Sequence, residues 1–390
     1  MTDRIVIVIG SLQVGGAERQ IAQIVPRLDR ERWQVDLLTL SQPGPLAIEL
    51  EEAGFRVFSP PLASRTARTG RLVRLLRAAI AIPWIWFWFL RNRPDIAHFI
   101  LPEAYLIGGL CALLTGQKRM IMSRRSLAHY QDRHPLLSRV ERFLHPRMSV
   151  IIANSEAIRR DLVQERAPNK KLWVIRNGVN TEAFRPDHTR GAALREDLEI
   201  GPDALVLVIV ANLIPYKGHA DLIDALARID PDLPDGWQLL CIGRDNGIGA
   251  ALKAQSQTSG LSGNIRFLGS RADIPDLLNA ADMSLLCSHE EGLPNAIIEA
   301  MSSGTAVVST EIGGTGEIID DGINGILVPP GDSVALSRAI LELSRDTDQR
   351  HSMGQAARTE IERTYGLEIC ARAYDDIYRI VMASDPGTKR

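Results

Sequence analysis

Cysteine is scarce in this chain: Cys111, Cys241, Cys287 and Cys370 are the only four in 390 residues. No two form a C-x-x-C pair, and all four sit among apolar neighbours. That argues against a disulfide scaffold or a zinc cluster and fits reduced core thiols. An excess of charge of one sign is missing too. The formal net charge is −2, so nothing global suggests nucleic acid as a partner. No apolar run approaches the roughly 20 residues that a bilayer-spanning helix needs. Low-complexity tracts and strict short repeats are absent. The N-terminal apolar run, Ile5 to Ile9, is short and leads straight into a glycine turn, so no signal peptide is expected.

What is present is a globular composition, 45% hydrophobic and 24% charged, in a chain long enough for two domains. Apolar runs and helical patterns alternate throughout, which argues for parallel α/β units. A first series of strands is expected at Arg4–Gly10, Val35–Leu40, Ile96–Leu101, Met120–Ser123, Val150–Ala153 and Leu172–Ile175. A second series opens at Ala204–Ala211. It continues through Gln238–Ile242, Ile265–Leu268, Met283–Cys287, Ala306–Ser309 and Gly325–Val328. Two doubly wound α/β sheets are the economical reading. The boundary is expected in the polar stretch Phe184 to Pro202, which ends in Gly201-Pro202. The last helical pattern, about Leu367 to Met382, cannot be placed from periodicity.

Open α/β sheets bind ligands beyond the carboxyl ends of their strands, and three glycine turns fall there. The first runs from Gly10 to Glu18 through Gly15 and Gly16. It lacks the G-x-G-x-x-G spacing of a dinucleotide site, and a purely structural turn is an equal reading. The second is Glu290-Glu291-Gly292-Leu293-Pro294-Asn295. Pro294 suits the first turn of a helix, which would aim its N-terminus at a ligand anion. Glu291 and Glu299 would flank that helix end. Acids beside a phosphate fit where sugar or ribose hydroxyls donate to them; otherwise they are ordinary surface charges. The third turn is Ile312 to Glu317. Lys217 follows Asn212-Leu-Ile-Pro-Tyr at the end of another strand. Its ammonium could neutralise a departing diphosphate, or it is a solvated surface lysine.

The stretch Glu291-Gly-Leu-Pro-Asn-Ala-Ile-Ile-Glu299-Ala-Met-Ser-Ser-Gly304 resembles the glutamate–seven residues–glutamate motif of glycosyltransferase family four. Supporting matches are Gly15-Gly16-Ala17-Glu18, Asn154-Ser155, Asn177-Gly178-Val179, Lys217-Gly218 and Gly313-Gly314, and the likeness covers nearly the whole length. The resemblance implies a GT-B fold: two facing Rossmann-like, doubly wound domains with a cleft between them. Residues 1–185, with a C-terminal helix at 367–390, would bind the acceptor. Residues 186–366 would bind the nucleotide-sugar donor. The resemblance gives Glu299 the ribose hydroxyls, Glu291 the donor sugar and Lys217 the diphosphate. Backbone at Gly292, Leu293, Pro294, Asn295 and Ala296 would assist at the phosphates, and Arg271 would border the base. Gly15 and Gly16 would admit donor phosphate and acceptor. The expected substrate is a nucleotide sugar, UDP-linked, with no cofactor and no divalent metal.

Two departures from the family pattern matter. Asn212 stands where many relatives carry an arginine. Ser123-Arg124-Arg125-Ser126 stands where many carry a histidine, so Arg124 or Arg125 is a candidate replacement. Arg125 is taken as catalytic with Lys217 and Glu291, and Arg124 and His98 as acceptor-side residues. His129 and His134 stay ambiguous. No paired carboxylates offer a glycosidase-like nucleophile. The resemblance implies retaining, front-face transfer in which the departing diphosphate takes the acceptor's proton. A nucleotide-sugar epimerase of the same architecture is the alternative.

Residues 65–93 form a segment of their own kind. Arg65, Arg68, Arg71, Arg74 and Arg77 recur every three residues among Leu72, Val73, Leu75 and Leu76. Then comes the apolar run Ala78 to Leu90 with Trp84, Trp86 and Trp88, closed by Arg91 and Arg93. That suits an interfacial helix on an anionic membrane, and equally a core helix with exposed arginines. On the first reading the acceptor is a glycan or lipid-linked sugar in cell-surface polysaccharide assembly. The protein would then be cytoplasmic, peripheral on the inner face of the membrane.

Overall fold

The computed structural model describes residues 2–61, 71–126 and 135–384, with side chains in the helix that opens at Arg71 described from Ala79 onward. The chain divides into two compact units. The first joins Met1–Gly178 to the C-terminal segment from Leu367, and the second is Val179–Gly366.

Among the described residues the first unit is built on seven parallel strands. These are β1 (Asp3–Ile9), β2 (Trp33–Thr39), β3 (Arg56–Phe58), β4 (Ile96–Ile100), β5 (Met120–Arg124), β6 (Val150–Ala153) and β7 (Leu172–Val174), in the order β3-β2-β1-β4-β5-β6-β7. Strand β1 shows why. A parallel sheet is covered on both faces, so its strands are apolar without alternation. Ile5, Ile7 and Ile9 point to one core, shared with helices α1 (Gly16–Ile24) and α2 (Pro45–Glu52) and with the C-terminal helix Leu367–Ala383. Val6 and Val8 point to the other, under α3 (Arg71–Asn92), α4 (Leu101–Leu114), α5 (Pro135–Leu144) and α6 (Glu156–Gln164). Strand β3 was not expected from the sequence; it is a three-residue edge strand with no fully buried residue, so it leaves no apolar run to read.

The second unit repeats the plan with β8 (Val206–Val210), β9 (Gln238–Ile242), β10 (Ile265–Gly269), β11 (Met283–Leu286), β12 (Ala306–Thr310) and β13 (Ile326–Val328). Their order is β10-β9-β8-β11-β12-β13, again parallel. The helices are α7 (His188–Asp197), α8 (His219–Ile229), α9 (Gly249–Thr258), α10 (Ile274–Ala280), α11 (Asn295–Ser302), α12 (Ser333–Arg345) and α13 (Thr347–Thr364), with α14 (Leu367–Ala383) returning to the first unit.

The boundary falls earlier than the polar stretch Phe184–Pro202. That stretch contains α7, which packs on α10, and Phe184, Leu194 and Ile200 are buried in the second unit. Its polar outer face hides the apolar contact from a composition reading.

Helix α3 divides the tryptophan run between core and surface. Ile85, Trp88 and Phe89, at helical spacing, enter the core. Ile82, Trp86, Phe87 and Leu90 stay exposed. Among the described residues no helix is long and apolar enough to cross a membrane. Arg65, Arg68, His129 and His134, and the side chains of Arg71, Leu72, Val73, Arg74, Leu75, Leu76 and Arg77, lie outside the described residues.

Candidate active site

In the second unit the turns after β8, β11 and β12 meet at the carboxyl edge of the sheet. The chain leaves β8 through Asn212 into a 3-10 turn, Pro215–Lys217, and enters α8 at Gly218. Gly218 has φ 70°, and a Cβ there would stand 1.8 Å from the Cys287 carbonyl oxygen at the end of β11. The turn after β12 is pressed equally close. Gly313 has φ 50°, and its Cβ would stand 1.8 Å from the Glu291 carbonyl oxygen. Only glycine adopts that conformation cheaply and leaves that space. Gly314 then donates its N–H to the Gly292 carbonyl at 2.9 Å. The second and third glycine turns therefore form one structure.

This convergence sets the charged pair. Lys217 Nζ donates to Glu291 Oε1, and Ser288 Oγ donates to the same oxygen at 2.8 Å. Both charged side chains are mostly buried, 18% and 13% exposed. The N-termini of α8 and α11 open on the same carboxyl edge and add partial positive charge. Pro294 caps α11 rather than occupying its first turn: its ψ is 113° and the helix starts at Asn295. Glu299 lies half-buried within α11. Asn212 Oδ1 accepts from the Arg244 N–H at 3.0 Å, tying the turn after β8 to the one after β9. Arg271 is bonded to Asp273, which raises the guanidinium's affinity for its proton and lowers that of the carboxyl. An arrangement of lysine, carboxylate and two helix ends can hold an anionic diphosphate and the hydroxyls beside it.

In the first unit the carboxyl edge is different. Gly15 caps α1 in an extended conformation, φ −150°, which any residue adopts, and the atoms nearest to a Cβ there are the mobile end of Glu18. Backbone conformation therefore does not demand glycine at that position. His98 corrects an expectation. It is fully buried on β4, its Nδ1 paired with Tyr378 OH at 2.8 Å and its Nε2 with Ser123 Oγ at 2.7 Å. Burial, and then the charge of Arg125, push its pKa down to about 3, so it is neutral. It ties α14 to the sheet and presents nothing to an acceptor. Arg124 is the second correction. Its guanidinium is 2% exposed and bonded to Glu141 of α5 and, at 3.0 Å, to Glu165 after α6. Alternation along β5 sends it into the interior. Glu141, His145 and Glu165 have the spacing of metal ligands, but Arg124 already supplies the cation among them. Arg125 is also buried, donating to Asn177 Oδ1 at 3.0 Å and to Tyr374 OH of α14 at 2.8 Å. Its first role is to anchor the C-terminal helix.

Comparison with known proteins decides the family. The family model described as "Glycosyltransferase Family 4" matches residues 14–183, and that described as "Glycosyl transferases group 1" matches residues 192–360. The chain belongs to glycosyltransferase family 4. Its enzymatic class is glycosyl transfer, and the epimerase alternative has no support among its relatives. The N-acetyl-alpha-D-glucosaminyl L-malate synthase of Bacillus anthracis is 26% identical over 77% of this chain and 78% of its own length. The UDP-Gal:alpha-D-GlcNAc-diphosphoundecaprenol alpha-1,3-galactosyltransferase of Escherichia coli is 24% identical over 94% of both chains. The chain spans about half the length of several other curated relatives, D-inositol 3-phosphate glycosyltransferases among them. Among solved structures, Anabaena Alr3699/HepE in complex with UDP superposes with a TM-score of 0.83 at 24% identity, over 97% of this chain and all of that one. The fold is GT-B.

The sequence reading of this transferase missed several site neighbours. Ser288 shares Glu291 with Lys217, and His289 Nε2 pairs with Asp221 Oδ2 at 2.6 Å, joining the glutamate turn to α8. His219 is buried directly after Gly218, its pKa pushed down to about 4 by burial and by Lys217. Each is an ordinary residue in sequence. Its meaning comes from the turn that packs against it.

Proposed function

We propose that this transferase moves a sugar from a nucleotide-sugar donor, UDP-linked, to a hydroxyl of a glycan or lipid-linked acceptor with retention of configuration. The observation that carries the reading is the Lys217–Glu291 pair set between the N-termini of α8 and α11. Lys217 and the helix ends would hold the diphosphate. Glu291 would turn from the lysine to donor-sugar hydroxyls, and Glu299 would accept from the ribose. Gly292 to Ala296 and Arg271 would line the phosphate and base, with Asn212 beside them. The bond between the anomeric carbon and the diphosphate oxygen breaks. The acceptor oxygen bonds to that carbon on the same face, and its proton passes to the departing diphosphate. The protein positions the reactants and stabilises the leaving charge, and no metal enters this account. Gly15 and Gly16 would admit the donor phosphate and acceptor closely, and Arg125 would act on the acceptor side only through the segment it anchors.

The Escherichia coli relative acts, by its name, on a diphosphoundecaprenol-linked sugar. With the exposed Trp86, Phe87 and Leu90 of α3 this supports a lipid-linked acceptor in polysaccharide assembly, and a peripheral place on the inner face of the membrane. The deciding experiment is a thermal-shift and hydrolysis screen of folded protein against UDP-, GDP- and ADP-sugars. Stabilisation and slow diphosphate release with a UDP-sugar are expected. No response to any donor, with and without added membrane lipid extract, would overturn the reading.

A further inference from the structure

Helices α3, α4 and α5 cover one face of the first unit's sheet, α4 packing against both of the others. Helices in one layer over a sheet turn their outer faces to the same side, with neighbouring axes about 8–10 Å apart. On α5, Ser138, Glu141 and Leu144 point inward. Leu136 is 70% exposed and Phe143 48%. Arg139, Arg142 and Arg147 are exposed with them, and Arg147 lies 3.6 Å from the centre of the Phe143 ring. The single acid of α5, Glu141, is spent on Arg124 inside the unit, so every outward charge on this helix is cationic. Helix α3 repeats the chemistry, with Trp86, Phe87 and Leu90 exposed and Arg91 and Arg93 at its end. Between them α4 is nearly uncharged, ending in an exposed Leu114.

We propose that α3, α4 and α5 together form one docking face for an anionic lipid surface, with α5 as a second anchor beside α3. The inference rests on the peripheral attachment proposed above and extends it to residues 135–147. Aromatic and aliphatic side chains ringed by arginine suit the boundary between headgroups and acyl chains. Two well-separated anchors hold a protein in a fixed orientation, whereas one amphipathic helix lets it swivel. A second copy of this chain is a poor occupant, since self-pairing would set like charges against each other.

The test is flotation of the full chain with phosphatidylcholine vesicles made with and without phosphatidylglycerol. Three proteins are compared: wild type, Leu136→Gln/Phe143→Gln and Trp86→Gln/Phe87→Gln. All four positions are exposed, and matched melting curves establish that each variant folds. Wild type is expected on the anionic vesicles only. Each double variant should bind them about tenfold more weakly or worse. The thermal shift given by the donor nucleotide should stay unchanged in both. If the α5 variant floats like wild type while the α3 variant is lost, the second anchor is overturned and the attachment reading survives. Wild type that binds neither vesicle overturns both. Equal binding to both vesicles overturns the anionic surface.

Discussion

The two sheets carry polar clusters of opposite kind. In the second unit, Lys217, Glu291 and Ser288 meet at the rim where strands end, mostly buried but with both charged side chains reaching solvent beside two helix N-termini. In the first unit, His98, Arg124, Arg125, Glu141 and Tyr374 sit inside, each bonded to another element. Both clusters are rich in the residue types that do chemistry. Only the cluster of the second unit leaves its charges where a ligand can replace one partner by another. Buried and bonded across elements, the cluster of the first unit holds them together and is costly to disturb.

The comparison breaks most readily at the two cations. Lys217→Ala should cost about 2.7–4 kcal/mol in the barrier, a loss of roughly 100- to 1,000-fold in turnover. Its urea midpoint should stay near wild type, because the lysine is at the rim. Near-normal turnover in single-turnover assays would remove Lys217 from the leaving-group role.

Arg124→Met should do the reverse. It strands Glu141 and Glu165 without their guanidinium in the interior, at a cost of about 3–5 kcal/mol of stability. Adding Glu141→Gln should recover part of that loss. A single variant as stable as wild type in urea would mean the network is not worth what its burial suggests.

The smallest effect concerns pH. His98 is neutral in the folded unit, with a pKa of about 3 against an unfolded value near 6.5. Between those values the unfolded chain binds a proton that the folded one refuses. His98 burial is therefore compatible with full stability above about pH 6.5 and erodes it as pH falls toward 3. His219, at about 4, adds to the same limb in the second unit. A His98→Gln variant should show a shallower fall in urea midpoint between pH 6.5 and 4.5. An unchanged slope would assign the acid limb elsewhere.

Much of the frame was legible because parallel strands must be apolar on both faces. Val150–Ala153 and Gln238–Ile242 fall on their expected bounds, and the remaining expected strands are displaced by a residue or two. The exception, β3, has no fully buried residue and opens on the exposed Arg56, whereas the equally short edge strands β7 and β13 each bury one apolar residue. The glutamate turn was legible as a motif, and Lys217 as its partner in the other motif. Sequence placed His98 at a strand position and on the acceptor side, whereas it points inward to Tyr378 and Ser123. One residue of register along β5 separates Arg124, turned into the layer under α5 and α6, from Arg125, tied to Asn177 and α14.

By itself, then, the sequence determined the class of fold and singled out Lys217, Glu291 and Glu299, since the first is written in local pattern and the second in short family motifs. Tertiary structure alone decided which polar residues are available. Availability depends on what packs against a side chain from 40, 100 or 280 positions away, as Tyr378 does on His98 across 280 residues and Glu165 on Arg124 across 41. No local spacing encodes such a contact, because it comes from the order in which parallel strands are laid side by side.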